Sequence, residues 1–262
     1  MKIALALSGG AGRGAFHLGV IAACEQNGVE IAAVSGTSIG AVIAVGVGSG
    51  VSAFDLIRLF QSQAFRKIFC FNWFHRGLFR IDEATSILKE IAPISRLEAM
   101  EIPTFVTCVD LYSGSILRFS QGDTIPLAIA SSALIPLFRP IAYENYLLVD
   151  GGFMDNLPVA PLLDFEYPLV SVNLFPLHVK HSKKGSLLER AISLSLLSSS
   201  ESQIEQSDLC ITDASLGDVG LFTFGEIMRC FELGYRVGSE KILTFMGQKS
   251  IMKPFLTSEG MR

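Results

Sequence analysis

A serine flanked by glycines is the residue of this sequence best placed for nucleophilic chemistry. Residues 36–40 read Gly-Thr-Ser-Ile-Gly, between an apolar run and a helix-forming segment of small residues. A serine on such a strand-to-helix turn has backbone torsions that few residues tolerate, and Gly36 and Gly40 let the two elements pass closely. The dipole of the following helix favours negative charge at its N-terminus. The pattern predicts that Ser38 is a nucleophile, although a tight connection without chemistry has the same signature.

A glycine-rich loop near the N-terminus is a second candidate site. Residues 2–7 form a short apolar run, residues 8–14 read Ser-Gly-Gly-Ala-Gly-Arg-Gly, and helical periodicity begins at Ala15. Such a loop exposes several backbone N–H groups at a helix N-terminus, which makes a binding site for an anion. That anion is either the pyrophosphate of a dinucleotide or the oxyanion of a tetrahedral intermediate in acyl transfer.

The dinucleotide alternative fits the sequence incompletely. Residues 10–15 satisfy Gly-x-Gly-x-x-Ala, but the carboxylate that should bind the ribose is missing at the end of the second predicted strand. Glu30 lies at the start of that strand, and the end leads into the turn with Ser38. A donor-rich turn beside a turn with a nucleophile is what acyl transfer needs. We therefore favour an oxyanion hole and keep a nucleotide-binding protein as the alternative function.

The serine needs a group that accepts its proton. Asp150 is a candidate base, because it ends an apolar strand pattern and two glycines follow it; strand ends open onto the crevice of an α/β sheet, although Asp-Gly pairs are often only turns. His178 and His181 lie in a basic, polar stretch that predicts a solvated loop, and His17 lies on the first helix, where a structural role is favoured. Two arrangements stay open: a serine–aspartate dyad, or a triad that includes one of the two loop histidines.

Composition limits the class of protein. The 262 residues are 50% hydrophobic and 18% charged, with a formal net charge of -4 and no block of Lys or Arg. These values predict a single domain over residues 1–262 with a sizeable core, and they argue against nucleic acid as a partner. Five cysteines without metal-like spacing indicate reduced core residues. The N-terminus lacks a secretory pattern, and the apolar run at residues 31–53 contains the serine turn, so we expect a cytoplasmic protein.

Residues 54–80 interleave aromatic and basic side chains and include the only tryptophan, Trp73. Aromatic rings with basic neighbours suit a water–lipid interface. A core helix followed by a solvated basic loop explains the same composition, because most aromatic residues lie in the core. We keep peripheral membrane contact through residues 54–80 as a hypothesis.

The remaining patterns predict the frame of the fold. Residues 102–109 and 115–119 predict a hairpin, with Asp110 as a turn former. Residues 186–207 predict one long helix, and residues 222–245 predict another.

Four blocks of the sequence resemble the patatin-like phospholipases, in the order typical of that family. The blocks are residues 7–20, 36–41, 130–140 and 149–158, and together they span about residues 1 to 165. One position departs from the family pattern, which usually has three consecutive glycines in the first block: the third is Ala11 here. This substitution keeps a backbone donor at every position and leaves open which N–H groups point inward.

The resemblance implies a three-layer α/β/α fold with a central, mostly parallel sheet. It further implies a carboxylic ester hydrolase of phospholipase A or lysophospholipase type, in which Ser38 attacks the ester and Asp150 acts as base, without metal or cofactor. Its substrates would be (lyso)phospholipids or related acyl lipids, and a non-catalytic binding protein of the same fold is the alternative. The N–H groups expected to hold the oxyanion belong to Gly9, Gly10, Ala11 and Gly12. Supporting motif positions are Arg13, Gly14, Gly36, Gly40, Gly151 and Gly152.

Overall fold

The computed structural model describes residues 1–63, 65, 81–176, 187–198, 200–221 and 223–252. The helices of these residues are α1 (Ala15–Gln26), α2 (Ile39–Gly48), α3 (Ala53–Gln61), α4 (Ile81–Ile91), α5 (Thr124–Ser131), α6 (Leu187–Ser198), α7 (Glu201–Glu205) and α8 (Ile227–Met252). The strands are β1 (Lys2–Leu7), β2 (Glu30–Thr37), β3 (Thr104–Asp110), β4 (Ser115–Phe119), β5 (Ile141–Tyr143), β6 (Tyr146–Asp150), β7 (Leu169–Val172) and β8 (Leu209–Ile211). Short 3₁₀ turns include Ala11–Gly14 before α1 and Gly151–Phe153 after β6.

The strands form one mixed sheet in the order β5-β6-β3-β2-β1-β7-β8, and β4 also pairs with β3. Strands β3, β2, β1, β7 and β8 are mutually parallel, whereas β4 and β6 run antiparallel to β3, and β5 runs antiparallel to β6. The predicted α/β fold with a central, mostly parallel sheet is confirmed. The carboxyl ends of β1 and β2 therefore lie at the same sheet edge, where the two predicted turns begin.

The alternation of side chains along β1 divides the core into two layers. Its odd-numbered residues belong to a large apolar cluster that includes buried side chains of α1, α2, α3 and α8. Its even-numbered residues are alanines, Ala4 and Ala6, which belong to a smaller cluster on the other face. That cluster contains Leu157 and Leu162, and Ile204 of α7 packs against it. Successive residues of a strand point to opposite faces, so β1 is buried on both sides.

Close packing of α8 on α1 fixes the helix that follows the glycine-rich loop. A Cβ added to Gly19 of α1 would collide with the backbone of Phe231, and a Cβ on Gly234 of α8 would collide with the backbone of Phe16. The two helix backbones thus approach where neither has a side chain. This contact holds α1, and with it the loop at its N-terminus, against the sheet.

The predicted hairpin is confirmed, because β3 and β4 pair antiparallel. Asp110 is the turn former that the sequence indicates: its carboxylate accepts hydrogen bonds from the backbone N–H groups of Tyr112, Ser113 and Leu147.

The prediction of one long helix over residues 186–207 is wrong. The structure has two helices there, α6 and α7, and Ser200 lies just before the second. The Ser200 hydroxyl donates to the carbonyl of Leu196 at 2.9 Å and accepts a bond of 3.2 Å from the Asn156 side chain. Serine side chains compete in this way for backbone acceptors, which favours a break.

Within the described residues, no helix is both long and apolar enough to cross a membrane. Cys24, Cys108 and Cys230 are buried free thiols, as expected for reduced core cysteines, whereas the free thiol Cys210 is half-buried and Cys70 lies outside the described residues. In residues 54–80, Phe60 and Phe65 are buried and stack on each other with ring centroids 4.1 Å apart. Trp73 and its aromatic neighbours lie outside the described residues.

Candidate active site

The turn at Ser38 has the strained geometry that its neighbours predict. Ser38 lies between β2 and α2 with φ 55° and ψ -124°, a backbone conformation that side-chain-bearing residues rarely adopt. A Cβ on Gly36 would collide with the backbone of Gly40, and a Cβ on Gly40 would collide with the carbonyl of Leu7. Both glycines are therefore required for strand and helix to cross at this angle, and the serine side chain is left at the carboxyl edge of the sheet.

Strand pairing brings Asp150 next to Ser38. Thr37, the last residue of β2, pairs with Thr107 of β3, and the next residue of β3, Cys108, pairs with Asp150 of β6. The Asp150 carboxyl group accepts a hydrogen bond from the backbone N–H of Gly152 at 2.8 Å, and the Ser38 hydroxyl lies near enough to lower its pKa. Serine and aspartate thus meet across a single intervening strand.

The environment of Asp150 changes its acidity. Asp150 is 3% exposed, and burial raises its pKa from 3.8 to about 7, against the opposing effect of the Gly152 N–H and the Ser38 hydroxyl. Burial disfavours the charged carboxylate, whereas donors stabilise it. A carboxyl group with a pKa near neutrality is suited to accept and return a proton at physiological pH.

The four N–H groups of the glycine-rich loop do not all have partners within the protein. The Gly9 N–H donates to the carbonyl of Asn156 at 3.0 Å, and the Gly12 N–H donates to the carbonyl of Leu221 at 2.6 Å. In the described part of the chain, the N–H groups of Gly10 and Ala11 have no backbone or side-chain acceptor. Of the four predicted donors, only these two are available to an added oxyanion.

A pocket joins these parts. Its polar lining consists of Ser38, Asp150, Asn156 and the loop residues Gly9, Gly10 and Ala11. Its apolar lining consists of Leu134, Ile192, Leu196 and Leu221. The nucleophile candidate, the base candidate and the two available N–H groups therefore face one space with an apolar side.

Comparison with known proteins decides the family. A family model described as patatin-like phospholipase matches residues 5–163, more than half of the chain. The chain belongs to the patatin-like phospholipase family. The resemblance of the four sequence blocks is thereby confirmed.

Relatives of this patatin-like protein include an uncharacterized NTE family protein of Mycobacterium tuberculosis (strain ATCC 25618 / H37Rv), 31% identical over 165 residues that cover 62% of this chain and 45% of the relative. Lysophospholipase NTE1 of Mycosarcoma maydis is 30% identical over 182 residues, which cover 62% of this chain and 9% of that protein. The chain thus spans less than half the length of these curated relatives. The crystal structure of VipD from Legionella pneumophila has a TM-score of 0.51 at 14% identity and covers 94% of this chain and 67% of that one; it supports the patatin-like fold.

Ser131 is a site residue of this patatin-like protein that sequence reasoning did not identify. Its hydroxyl accepts a 2.9 Å hydrogen bond from the Ser38 backbone N–H and donates at 2.7 Å to the carbonyl of Thr107. Two residues later, the carbonyl of Ala133 accepts from the Asp150 backbone N–H at 3.1 Å. The end of α5 and the residues that follow it therefore hold both members of the pair. The signal in the sequence is the third block of the family resemblance, residues 130–140, which contains Ser131.

Arg13 anchors the glycine-rich loop to neighbouring segments of the chain. Its guanidinium donates to the carbonyls of Val219 at 2.8 Å and Leu174 at 3.1 Å, and it lies 5.3 Å from the ring centre of Phe175. The side chain is 2% exposed. These contacts fit the sequence interpretation that Arg13 supports loop structure.

The glycines after Asp150 and at the start of α1 also meet tight neighbours. A Cβ on Gly14 would collide with the side chain of Ile39, and one on Gly151 would lie 2.5 Å from the Thr107 carbonyl oxygen. A Cβ on Gly152 would lie 2.6 Å from a methyl group of Leu196. These supporting motif positions leave no room for a side chain.

His17 and Glu30 do not line the pocket that contains Ser38 and Asp150. His17 is fully buried, its Nε2 lies 2.8 Å from the Ser8 carbonyl oxygen, and burial lowers its pKa to about 4, so it is neutral at pH 7. Glu30 forms an ion pair of 2.7 Å with Lys2, at the end of β2 far from the glycine-rich loop. It is therefore not placed to bind a ribose, as the dinucleotide alternative requires. His178 and His181 lie outside the described residues. Among the residues that the structure describes, no group of three or more His, Cys, Asp or Glu side chains is arranged to hold a metal ion.

Proposed function

We propose that this protein is a serine lipid acyl hydrolase that cleaves carboxylic ester bonds of (lyso)phospholipids or related acyl lipids through a Ser38–Asp150 dyad. The observation that carries the proposal is that Ser38 and the buried carboxyl group of Asp150, whose pKa burial raises to about 7, line the same pocket. Membership of the patatin-like phospholipase family and the lysophospholipase name of several relatives support the substrate class.

The first half of the reaction forms an acyl-enzyme. As Ser38 Oγ bonds to the ester carbonyl carbon, its proton passes to the Asp150 carboxylate and the carbonyl oxygen becomes an oxyanion. When the intermediate collapses, the bond from carbon to the alcohol oxygen breaks, and Asp150 returns the proton to that alcohol. Water then repeats the sequence against the acyl-enzyme: Asp150 takes a proton from water, and Ser38 leaves with it as the free hydroxyl.

The oxyanion is assigned to the N–H groups of Gly10 and Ala11. The Gly9 and Gly12 donors are used within the protein, and the N–H of Ser38 itself donates to Ser131. Losing one donor of an oxyanion hole typically costs about 3 kcal/mol of barrier. Two fixed donors beside the nucleophile therefore supply a large part of the expected rate enhancement.

The test compares hydrolysis of p-nitrophenyl butyrate and of lysophosphatidylcholine micelles by the wild type and by matched variants. Ser38→Ala and Asp150→Asn should lose at least a thousandfold in kcat. Asp164→Asn makes the same chemical change at an exposed position and should retain activity. A fluorophosphonate probe should label the wild type and leave Ser38→Ala unlabelled. An active Asp150→Asn variant, or labelling at another serine, would overturn the dyad.

The double variant His178→Ala/His181→Ala separates the dyad from the triad that the sequence left open. The dyad requires that this variant keeps its activity at all pH values tested. Loss of activity with retained thermal stability would make a histidine the base and Asp150 its orienting partner.

A further inference from the structure

One side of the pocket is a helix face outside the family motifs. Ile192 and Leu196 lie four residues apart on α6, so both project from the same face, and both line the pocket. Leu194 lies between them and is 47% exposed, whereas Leu196 is 7% exposed. The helix therefore turns a narrow apolar face to the site and leaves its opposite face in water.

Contacts with the Asp150 turn fix the position of this face. A methyl group of Leu196 fills the space where a side chain of Gly152 would be. The Leu196 carbonyl accepts from Ser200, whose hydroxyl in turn accepts from the side chain of Asn156. Asn156 lines the same pocket. The apolar face of α6 thus contacts the turn after Asp150 at Gly152 and is linked to it at Asn156 through Ser200.

Three of the apolar residues that line the pocket come from a part of the chain that the family model does not match. That match ends at residue 163, whereas Ile192, Leu196 and Leu221 follow it. The polar half of the pocket, including Ser38 and Asp150, lies within the matched region. Of the four apolar lining residues, only Leu134 lies within the match, so the shared chemistry and most of the apolar side are encoded in different segments.

We propose that Ile192 and Leu196 of α6, with Leu221, form the wall that contacts the acyl chain of the substrate and sets which chain lengths are accepted. The proposal rests on the proposed function, because it requires an ester at Ser38. An acyl carbonyl held by Gly10 and Ala11 places the chain against the apolar lining of the same pocket. Each methylene that becomes buried there should raise kcat/KM by about fourfold, until the wall ends the series.

The experiment measures kcat/KM for p-nitrophenyl acetate, butyrate, octanoate, laurate and palmitate. Ile192→Ala should move the optimum to a longer chain, and Ile192→Trp should move it to a shorter one, each changing the octanoate-to-acetate ratio by at least tenfold. Leu196→Ala should act in the same direction as Ile192→Ala. Leu194→Ala, the matched control on the exposed face of α6, should leave the ratio within twofold of the wild type.

The outcomes separate the two proposals. If the wild type hydrolyses the esters and both Ile192 variants keep its chain-length profile, the acyl wall is refuted and the proposed function stands. The same holds if Leu194→Ala shifts the profile as much as Ile192→Ala, because the effect then reflects general loosening of α6. If the wild type hydrolyses none of the esters, both proposals fall.

Discussion

Replacing Asp150 by asparagine removes the carboxyl group whose pKa burial raises from 3.8 to about 7, and this change should stabilise the protein at neutral pH. The folded state binds the Asp150 proton more tightly than the unfolded state. Its contribution to stability is therefore fully present below pH 3.8 and is lost as the pH rises through about 7. A shift of this size corresponds to at most about 4 kcal/mol, at 1.36 kcal/mol per pKa unit. Asparagine keeps the acceptor for the Gly152 N–H and has no charge to bury.

The assay is urea unfolding of the wild type and Asp150→Asn at half-unit steps from about pH 4.5 to about pH 8.5. Other titrating groups contribute equally to both proteins, so the difference in free energy of unfolding isolates Asp150. That difference should grow in favour of the variant by up to about 1.4 kcal/mol per pH unit and level off above about pH 7. A difference that is constant with pH, or that falls, would refute the link between burial and the raised pKa.

Protonation of the same carboxyl group below about pH 7 should lower the activity while it raises the free energy of unfolding. Only the ionised form of Asp150 accepts the Ser38 proton, so kcat/KM should drop tenfold per pH unit below about 7. At pH 5 it should be about a hundredfold below its plateau. An activity plateau that extends unchanged to pH 5 would contradict Asp150 as the base.

Two further variants test the positioning of the site. Ala11 has a φ of +46°, a conformation that costs an L-residue about 1 to 2 kcal/mol. After the larger chain entropy of glycine is subtracted, Ala11→Gly should raise the free energy of unfolding by about 0.5 to 1 kcal/mol. A lower stability of this variant in urea unfolding would show that Ala11 is not strained. Ser131→Ala leaves the Ser38 N–H without its acceptor and should lower kcat tenfold or more with little change in KM, at a cost of about 1 to 3 kcal/mol in stability. Ser132→Ala, which loses only a bond to the carbonyl of Ala128, is the matched control, and equal kcat values for the two variants would remove Ser131 from the positioning of the nucleophile.

Local pattern was sufficient to predict the parts of the site that depend on the backbone near one residue. The glycines at 36 and 40 indicate a close crossing of strand and helix, and the structure has that crossing. Asp150 was predicted from an apolar run that ends in Asp-Gly-Gly, and β6 ends there. Its role as base stays a prediction, as does the single domain over residues 1–262. Each inference used residues within about one turn of the side chain concerned.

Contacts between distant segments could not be read from the sequence. The acceptors that use the Gly9 and Gly12 donors belong to Asn156 and Leu221, more than a hundred residues away. The acceptor for the Ser38 N–H is likewise a hydroxyl 93 residues along the chain. Periodicity and turn chemistry report local conformation only, so they cannot show which N–H groups remain available after folding. For this reason the sequence predicts only that the turn of Gly9, Gly10, Ala11 and Gly12 holds the oxyanion, and leaves open which of its N–H groups point inward.

The departure at Ala11 shows how the two kinds of information combine. From sequence, the methyl group that replaces a family glycine raised the question of which donors point inward. In the structure, Ala11 keeps the left-handed conformation that a glycine would adopt, and its N–H has no acceptor in the described part of the chain. The substitution therefore leaves the backbone path of the loop intact at the expense of strain. Because the contacts of Arg13 and the Gly12 N–H bond hold the loop on its buried side, packing there is able to impose that conformation on an alanine.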